Sequence, residues 1–142
     1  MSEDATNLYG EEHVRRYRET NGEVGHVWRE GSTILLLTTK GRKTGLDRTV
    51  PLIYDWDGEN PVIVASKGGA PDHPGWFKNL VKTPEGEVQI QGRHIPIRAR
   101  EAEGDERARL WTQMNRMWPH YDEYAQKTDR EIPVVVLERA AQ

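Results

Sequence analysis

The order of its short apolar runs constrains this chain most, because they follow one another through turns instead of alternating with helices. Thr33-Ile34-Leu35-Leu36-Leu37-Thr38-Thr39 is bounded by Gly31-Ser32 and a basic turn, and reads as a central strand. Thr49 to Trp56 follows with Pro51 near its start, and Asp57-Gly58 then turns the chain into Val62-Ile63-Val64-Ala65. Val88-Gln89-Ile90-Gln91 alternates, Gly92-Arg93 turns, and Ile95, Ile97 and Ala99 resume the same period as a hairpin. Ile132-Pro133-Val134-Val135-Val136-Leu137 is the sixth strand candidate.

Helical signals are fewer. Glu11 to Thr20 predicts a short charged helix, broken by Asn21-Gly22 and Gly25. Asp72 is placed to cap a helix with Pro74 in its first turn and a stop at Thr83-Pro84. Glu103 to Trp118 puts Ala108, Trp111, Met114 or Asn115, and Trp118 on one stripe, which predicts a core-facing helix. Pro119 interrupts or restarts it before Tyr121 and Tyr124. Six strands with two main helical insertions predict a mainly β, α+β fold built on a small barrel, and exclude a doubly wound sheet of βαβ units.

With 142 residues the chain makes one domain over 1-142, preceded by a short extension at 1-10, since two domains would each be short of core. Charged residues reach 30% against 35% hydrophobic, a balance that solvates the surface and still leaves apolar runs to fill an interior. The absence of Cys excludes disulfides, thiolate catalysis and cysteine-ligated metal clusters, and fits a reducing compartment. His13, His26, His73, His94 and His120 are dispersed without a metal-binding spacing, so no metal is expected. Asp122 and Glu123 are adjacent, which does not itself make a paired-carboxylate site. Met1-Ser2-Glu3-Asp4 is acidic and no long apolar segment follows, so neither a signal peptide nor a transmembrane span is expected and the location read from sequence is cytoplasmic.

The chemistry concentrates between Lys40 and Asn79. Lys40-Gly41-Arg42-Lys43-Thr44-Gly45-Leu46-Asp47-Arg48 carries four positive charges against one negative, in a chain of formal net charge -3. Ser66-Lys67-Gly68-Gly69 adds another cation at the end of an apolar run, with backbone donors free to face an oxyanion. Arg42, Lys43, Arg48 and Lys67 are therefore candidates for phosphate and carboxylate contacts, against the alternative of a solvated turn. Neither a P-loop nor a dinucleotide fingerprint is present, because Leu46 follows Gly45 and a strand follows where a helix would be needed. Trp76 and Asn79 share one helix face and could bring an aromatic wall and an amide to one ligand, although Trp76 could equally be core. Ser66 could donate to a ring carbonyl or satisfy a turn. Tyr121 and Tyr124 lie over neighbouring parts of one face, where phenols can orient or protonate a carbonyl-like substrate or simply pack.

These residues resemble the deazaflavin-dependent nitroreductase family, small split β-barrel reductases that use coenzyme F420. The likeness runs from about His13 to Arg139. It rests on Leu35-Leu36-Leu37-Thr38-Thr39-Lys40-Gly41-Arg42-Lys43-Thr44-Gly45, on Arg48 with Pro51-Leu52, and on Val64-Ala65-Ser66-Lys67-Gly68-Gly69. Pro74-Gly75-Trp76-Phe77-Lys78-Asn79-Leu80 and Thr128-Asp129-Arg130-Glu131-Ile132-Pro133-Val134 extend it. The resemblance implies a split barrel like that of flavin mononucleotide-binding proteins. It also implies a deazaflavin whose phosphate and oligoglutamate tail meet Arg42, Lys43, Thr44, Arg48 and Lys67, with Pro51, Val64, Ala65, Ser66, Gly75, Trp76 and Asn79 along its ring or polyol. Hydride would pass to a quinone such as menaquinone, a nitroaromatic or an activated enone, with Tyr124, Tyr121 and Ser66 at the acceptor. Trp118 stands where a related nitroreductase carries a first tyrosine, and Phe77 where many relatives have Tyr. A dehydrogenase that reduces the coenzyme would be a partner only through the shared diffusible cofactor, and a quinone acceptor leaves peripheral membrane contact open.

Other readings stay open on the residues alone. Small split barrels also hold flavin mononucleotide, and cationic turns would retain an anionic ligand in a binding module with little turnover. Confinement of the cations to two turns of an acidic chain argues against a nucleic-acid track. Oligomeric state leaves no signature.

Overall fold

Strand β1 (Thr33–Lys40) buries Ile34, Leu35, Leu36 and Leu37 in succession, which a strand can do only when both its faces are covered. In the computed structural model, which describes residues 7–140, Leu35 and Leu37 turn inward beside Ile63, Val88, Ile97, Val135 and Leu137. Ile34 and Leu36 turn outward under Val14 and Tyr17 of helix α1 (Gly10–Thr20). Most of the extension expected at 1-10 lies outside the described residues.

The remaining strands are β2 (Asp47–Asp57), β3 (Asn60–Val64), β4 (Glu85–Ile90), β5 (Arg93–Glu101) and β6 (Val134–Arg139). All pairings are antiparallel, and the order β1-β2-β3-β6-β5-β4 closes on itself where β4 pairs with β1. The small barrel expected from the strand pattern is thus present. Helix α2 (Gly75–Lys82) closes one end by inserting Trp76, Phe77 and Leu80 into the interior cluster. On the outside, Val62, Val64, Val134 and Val136 pack against Leu110 and Met114 of α3 (Gly104–Met117) and Tyr121 of α4 (His120–Gln126). Each such fully buried aliphatic side chain contributes about 1.5–3 kcal/mol of transfer free energy.

One seam of the barrel is open, and the site depends on it. Strand β2 pairs with β1 along its whole length, Leu36 opposite Pro51, but it meets β3 only through Asp55, Trp56 and Asp57. Residues 47–54 therefore have a strand on one side only. Pro51 lacks a backbone N–H and is tolerated within the strand because one edge there needs no donor.

Three local expectations change. Asp72 does not cap α2: Pro74 occupies the cap without a side-chain bond, while Asp72 takes an ion pair from Lys78 Nζ at 2.9 Å. The lysine charge draws that carboxylate outward and holds its pKa below the usual range. The stripe of α3 holds at Met114 and Trp118, which are buried, and at Trp111, which packs half-buried against the same cluster, but Ala108 is exposed and Leu110 is buried in its stead. At the edge of the cluster Trp111 Nε1 donates to Asp122 Oδ1 at 2.8 Å. The last strand begins at Val134, because the Pro133 carbonyl accepts from the Ala65 amide at 2.9 Å and the Ile132 carbonyl from Arg107 Nη2 at 2.7 Å.

Candidate active site

Two adjoining clefts open along the unpaired half of β2, and they share Val50 and Trp76 as a common wall. The first, about 470 Å³, is largely apolar and aromatic: Pro51, Val64, Ser66 and Lys67 lie toward the shared wall, and Trp28, Trp118, Tyr121 and Tyr124 toward α1 and α4. The second, about 430 Å³, collects Arg42, Lys43, Thr44 and Arg48 with Gly75 and Asn79. The predicted cations Arg42, Lys43 and Arg48 thus gather in one cleft and the phenols in the other, where Lys67 joins them. Ala65 lines neither cleft; it is wholly buried in the interior cluster.

The basic turn is held from below by one amide. Asn79 Oδ1 accepts from the Arg42 backbone N–H at 3.2 Å and from Arg42 Nη1 at 3.0 Å, while its Nδ2 donates to Thr39 Oγ1 at 3.0 Å. Lys82 Nζ adds a bond to the Arg42 carbonyl at 2.8 Å. A buried amide satisfied on both ends is a fixed post, so Asn79 sets the turn's height over the cleft. Lys43 and Arg48 form no ion pair or hydrogen bond among the described residues, and their charges are left for a ligand.

The loop after β3 is held by Arg130. Its Nη2 donates to the Ser66 carbonyl at 2.7 Å, Nη1 to the Ala65 carbonyl at 3.2 Å and Nε to the Ala70 carbonyl at 2.9 Å. Nη1 also lies 3.2 Å from His73 Nδ1. Burial draws the pKa of Arg130 down from its ordinary value, although a guanidinium stays charged throughout. This fork presents Ser66 and Lys67 to the first cleft. Lys67 adopts φ +46 to do so, and Gly69 is required behind it, since a Cβ there would stand 2.7 Å from the Tyr124 carbonyl.

At the other wall Trp118 Nε1 donates to the Tyr124 hydroxyl at 3.3 Å, so that oxygen accepts from the protein and keeps its own proton for the cleft. Tyr121 is 4% exposed, and burial raises its pKa far above that of a free phenol. Its hydroxyl has no hydrogen-bond partner among the described residues, and the side chain lines the first cleft. Trp28 stacks on Trp118 with centroids 5.8 Å apart and an interplanar angle of 24°.

The family model for the F420H(2)-dependent quinone reductases matches residues 9–139. The chain belongs to the F420H(2)-dependent quinone reductase family. It is 41% identical over 130 residues to an F420H(2)-dependent quinone reductase of Mycobacterium tuberculosis, covering 89% of this chain and 87% of that protein. Among solved structures, an F420-H2 dependent reductase is 43% identical with a TM-score of 0.69, covering 74% of this chain and 93% of the other. A structure described as a domain-swapped dimer is 39% identical with a TM-score of 0.72, covering 88% and 96%.

The family reductase is an oxidoreductase that uses coenzyme F420 and reduces quinones. Its residues fit that coenzyme: unpaired Lys43 and Arg48 answer a phosphate and a carboxylated tail, and the apolar cleft beside them answers a flat ring. Among the described residues, no group of three or more His, Asp or Glu is arranged to hold a metal, and no helix is long and apolar enough to cross a membrane. Sequence reasoning missed His13, Trp28 and Arg130 as site residues. The signal for Arg130 was an arginine beside the buried strand Val134–Arg139, where a charge needs partners.

Proposed function

We propose that this reductase holds the phosphate and oligoglutamate tail of coenzyme F420 along Arg42, Lys43, Thr44 and Arg48, with Lys67 at the crossing between clefts. The ring stands against Val50, Pro51, Val64, Ser66 and Trp76, and the acceptor stands beneath Tyr121 and Tyr124. When bound in its reduced form, the coenzyme supplies a hydride. Tyr124 then donates its hydroxyl hydrogen bond to the acceptor carbonyl, since its oxygen is already occupied by Trp118. Tyr121, kept neutral by burial, offers a second donor. The aromatic walls exclude water from the acceptor and strengthen both bonds.

The observation that carries this reading is the junction at Val50 and Trp76, where a cleft of unpaired cations meets an apolar one. Quinones such as menaquinone are the acceptors we favour, with nitroaromatics and activated enones reduced by the same arrangement. Fluorescence titration tests the assignment: coenzyme F420 is expected to bind more tightly than flavin mononucleotide. Arg48→Ala should weaken it by roughly tenfold at low salt and by less at high salt. Equal or tighter binding of the mononucleotide would overturn the cofactor assignment. Unchanged titration of the Arg48 variant would move the tail elsewhere.

A further inference from the structure

His13 is a buried titratable group that the reaction as drawn leaves unused. It comes from α1, is 2% exposed, and lines the first cleft beside Trp28, with ring centroids 5.9 Å apart. Its Nε2 lies 2.8 Å from the Gly25 carbonyl, which can only accept, so Nε2 carries the hydrogen. Gly25 covers the same edge of the ring: a Cβ there would stand 3.1 Å from both Cδ2 and Nε2. The opposite edge, Nδ1 and Cε1, is the one turned away from Gly25. Burial lowers the pKa of the imidazole, which keeps it neutral and leaves Nδ1 as a bare lone pair. That nitrogen has no hydrogen-bond partner among the described residues, and it is not among the buried polar atoms sealed from solvent without one. An acceptor open to the cleft is satisfied by water when no ligand is bound, so a ligand donor reaching it gains the net worth of one hydrogen bond.

We infer that His13 Nδ1 is the hydrogen-bond acceptor of the acceptor cleft, and that it recognises a neutral aryl hydroxyl held between the aromatic walls formed by Trp28, Trp118 and Tyr121. The inference rests on the reading of this cleft as the quinone site. A quinone has only carbonyl acceptors, whereas the hydroquinone formed by adding a hydride and a proton has hydroxyl donors. Tyr121 and Tyr124 therefore suit the substrate, and His13 suits the product. No bond to His13 forms or breaks, and its role is to favour the reduced aryl alcohol.

Equilibrium dialysis on the coenzyme-saturated protein tests this with two redox-inert probes, 1-naphthol and 1-methoxynaphthalene, which differ in one hydroxyl hydrogen. The wild type is expected to prefer the naphthol by roughly three- to tenfold, the worth of one net hydrogen bond. His13→Gln places an amide where Nε2 stands, keeps the bond to Gly25 and removes the Nδ1 lone pair, so the preference should vanish. His13→Asn puts an oxygen near the Nδ1 position and should retain it. Equal affinity for the two probes in the wild type, failure of both to bind, or a preference that survives in His13→Gln would each overturn the inference. Oxidation of reduced coenzyme F420 by menadione is followed in parallel. No turnover with the naphthol preference intact would sink the quinone reading and leave His13 as an aryl-alcohol contact; turnover without the preference does the reverse.

Discussion

At the scale of single residues the site divides its labour by what each polar atom already has. Tyr124 accepts from Trp118, the Tyr121 hydroxyl has no hydrogen-bond partner among the described residues, and Asn79 is held at both ends by Thr39 and Arg42. An atom with a fixed partner positions, and an atom with spare capacity binds. Tyr124→Phe removes one hydroxyl from a ring of nearly the same shape and leaves the indole N–H of Trp118 unpaired. We expect coenzyme binding to persist and single-turnover quinone reduction to slow by roughly 5- to 30-fold, the worth of one to two hydrogen bonds. Wild-type rates at all acceptor concentrations would deny the hydroxyl a chemical role, and a loss confined to low concentration would make it a positioning group. The cations and the two tyrosines were legible in the sequence because charge density and helical spacing are local properties. His13, Trp28 and Arg130 were not, since the first two meet the aromatic cleft, and Arg130 holds the Ser66 loop beside it, through contacts far along the chain. Asn79 was legible as a buried amide, but its duty as a post under Arg42 depends on where the turn folds back.

Elements are tied to the site through a few straps. Arg130 stands on the approach to β6 and holds the loop that follows β3 by three carbonyls, so one residue couples the strand pair to the presentation of Ser66 and Lys67. Arg130→Met should lower stability by about 2 kcal/mol, because it orphans these carbonyls, and should weaken coenzyme F420 binding by roughly tenfold. Arg130→Lys, which keeps the charge but not the fork, should recover part of the stability and little of the affinity. Thermal melts and fluorescence titration read the two effects separately. A lowered melting temperature with unchanged affinity would mean that the loop holds its shape without the strap. The strands themselves were legible from periodicity: uninterrupted apolar runs marked β1, β3 and β6, which are covered on both faces, and alternation marked β4 and β5. The open seam between β2 and β3 was not, because Pro51 signals only that some edge is unpaired and leaves unstated which neighbour is missing. The stripe of α3 was legible at Trp111, Met114 and Trp118, and only Ala108 stood in place of Leu110. Trp111 packs its apolar surface on the core cluster while its indole N–H reaches Asp122 at the surface.

For the whole molecule, histidines set opposing pH dependences. His13 and His26 are neutral in the fold, since burial lowers both below the ordinary imidazole value of 6.5. The unfolded chain therefore binds more protons there, and their contribution to stability is complete above pH 6.5 and lost as pH falls through the lower folded values. His120 runs the other way. It bridges Glu30 at 2.7 Å and Glu123 at 2.6 Å, and those carboxylates raise its pKa. Its contribution is complete below pH 6.5 and lost as pH rises through the folded value, but the bridge is exposed to solvent and screened. Buried His13 together with half-buried His26 should dominate, so the melting temperature is expected to fall between pH 7.5 and 5.5. That window stays above 4.5, the ordinary value of Glu19 and Glu106, whose salt-bridged carboxylates lose their stabilisation only in stronger acid. His120→Gln should steepen the fall by removing the opposing group, and 1 M salt should reproduce that steepening in the wild type by screening the same bridge. A melting temperature that rises on acidification would show that the bridge between Glu30 and α4 outweighs His13 and His26 together.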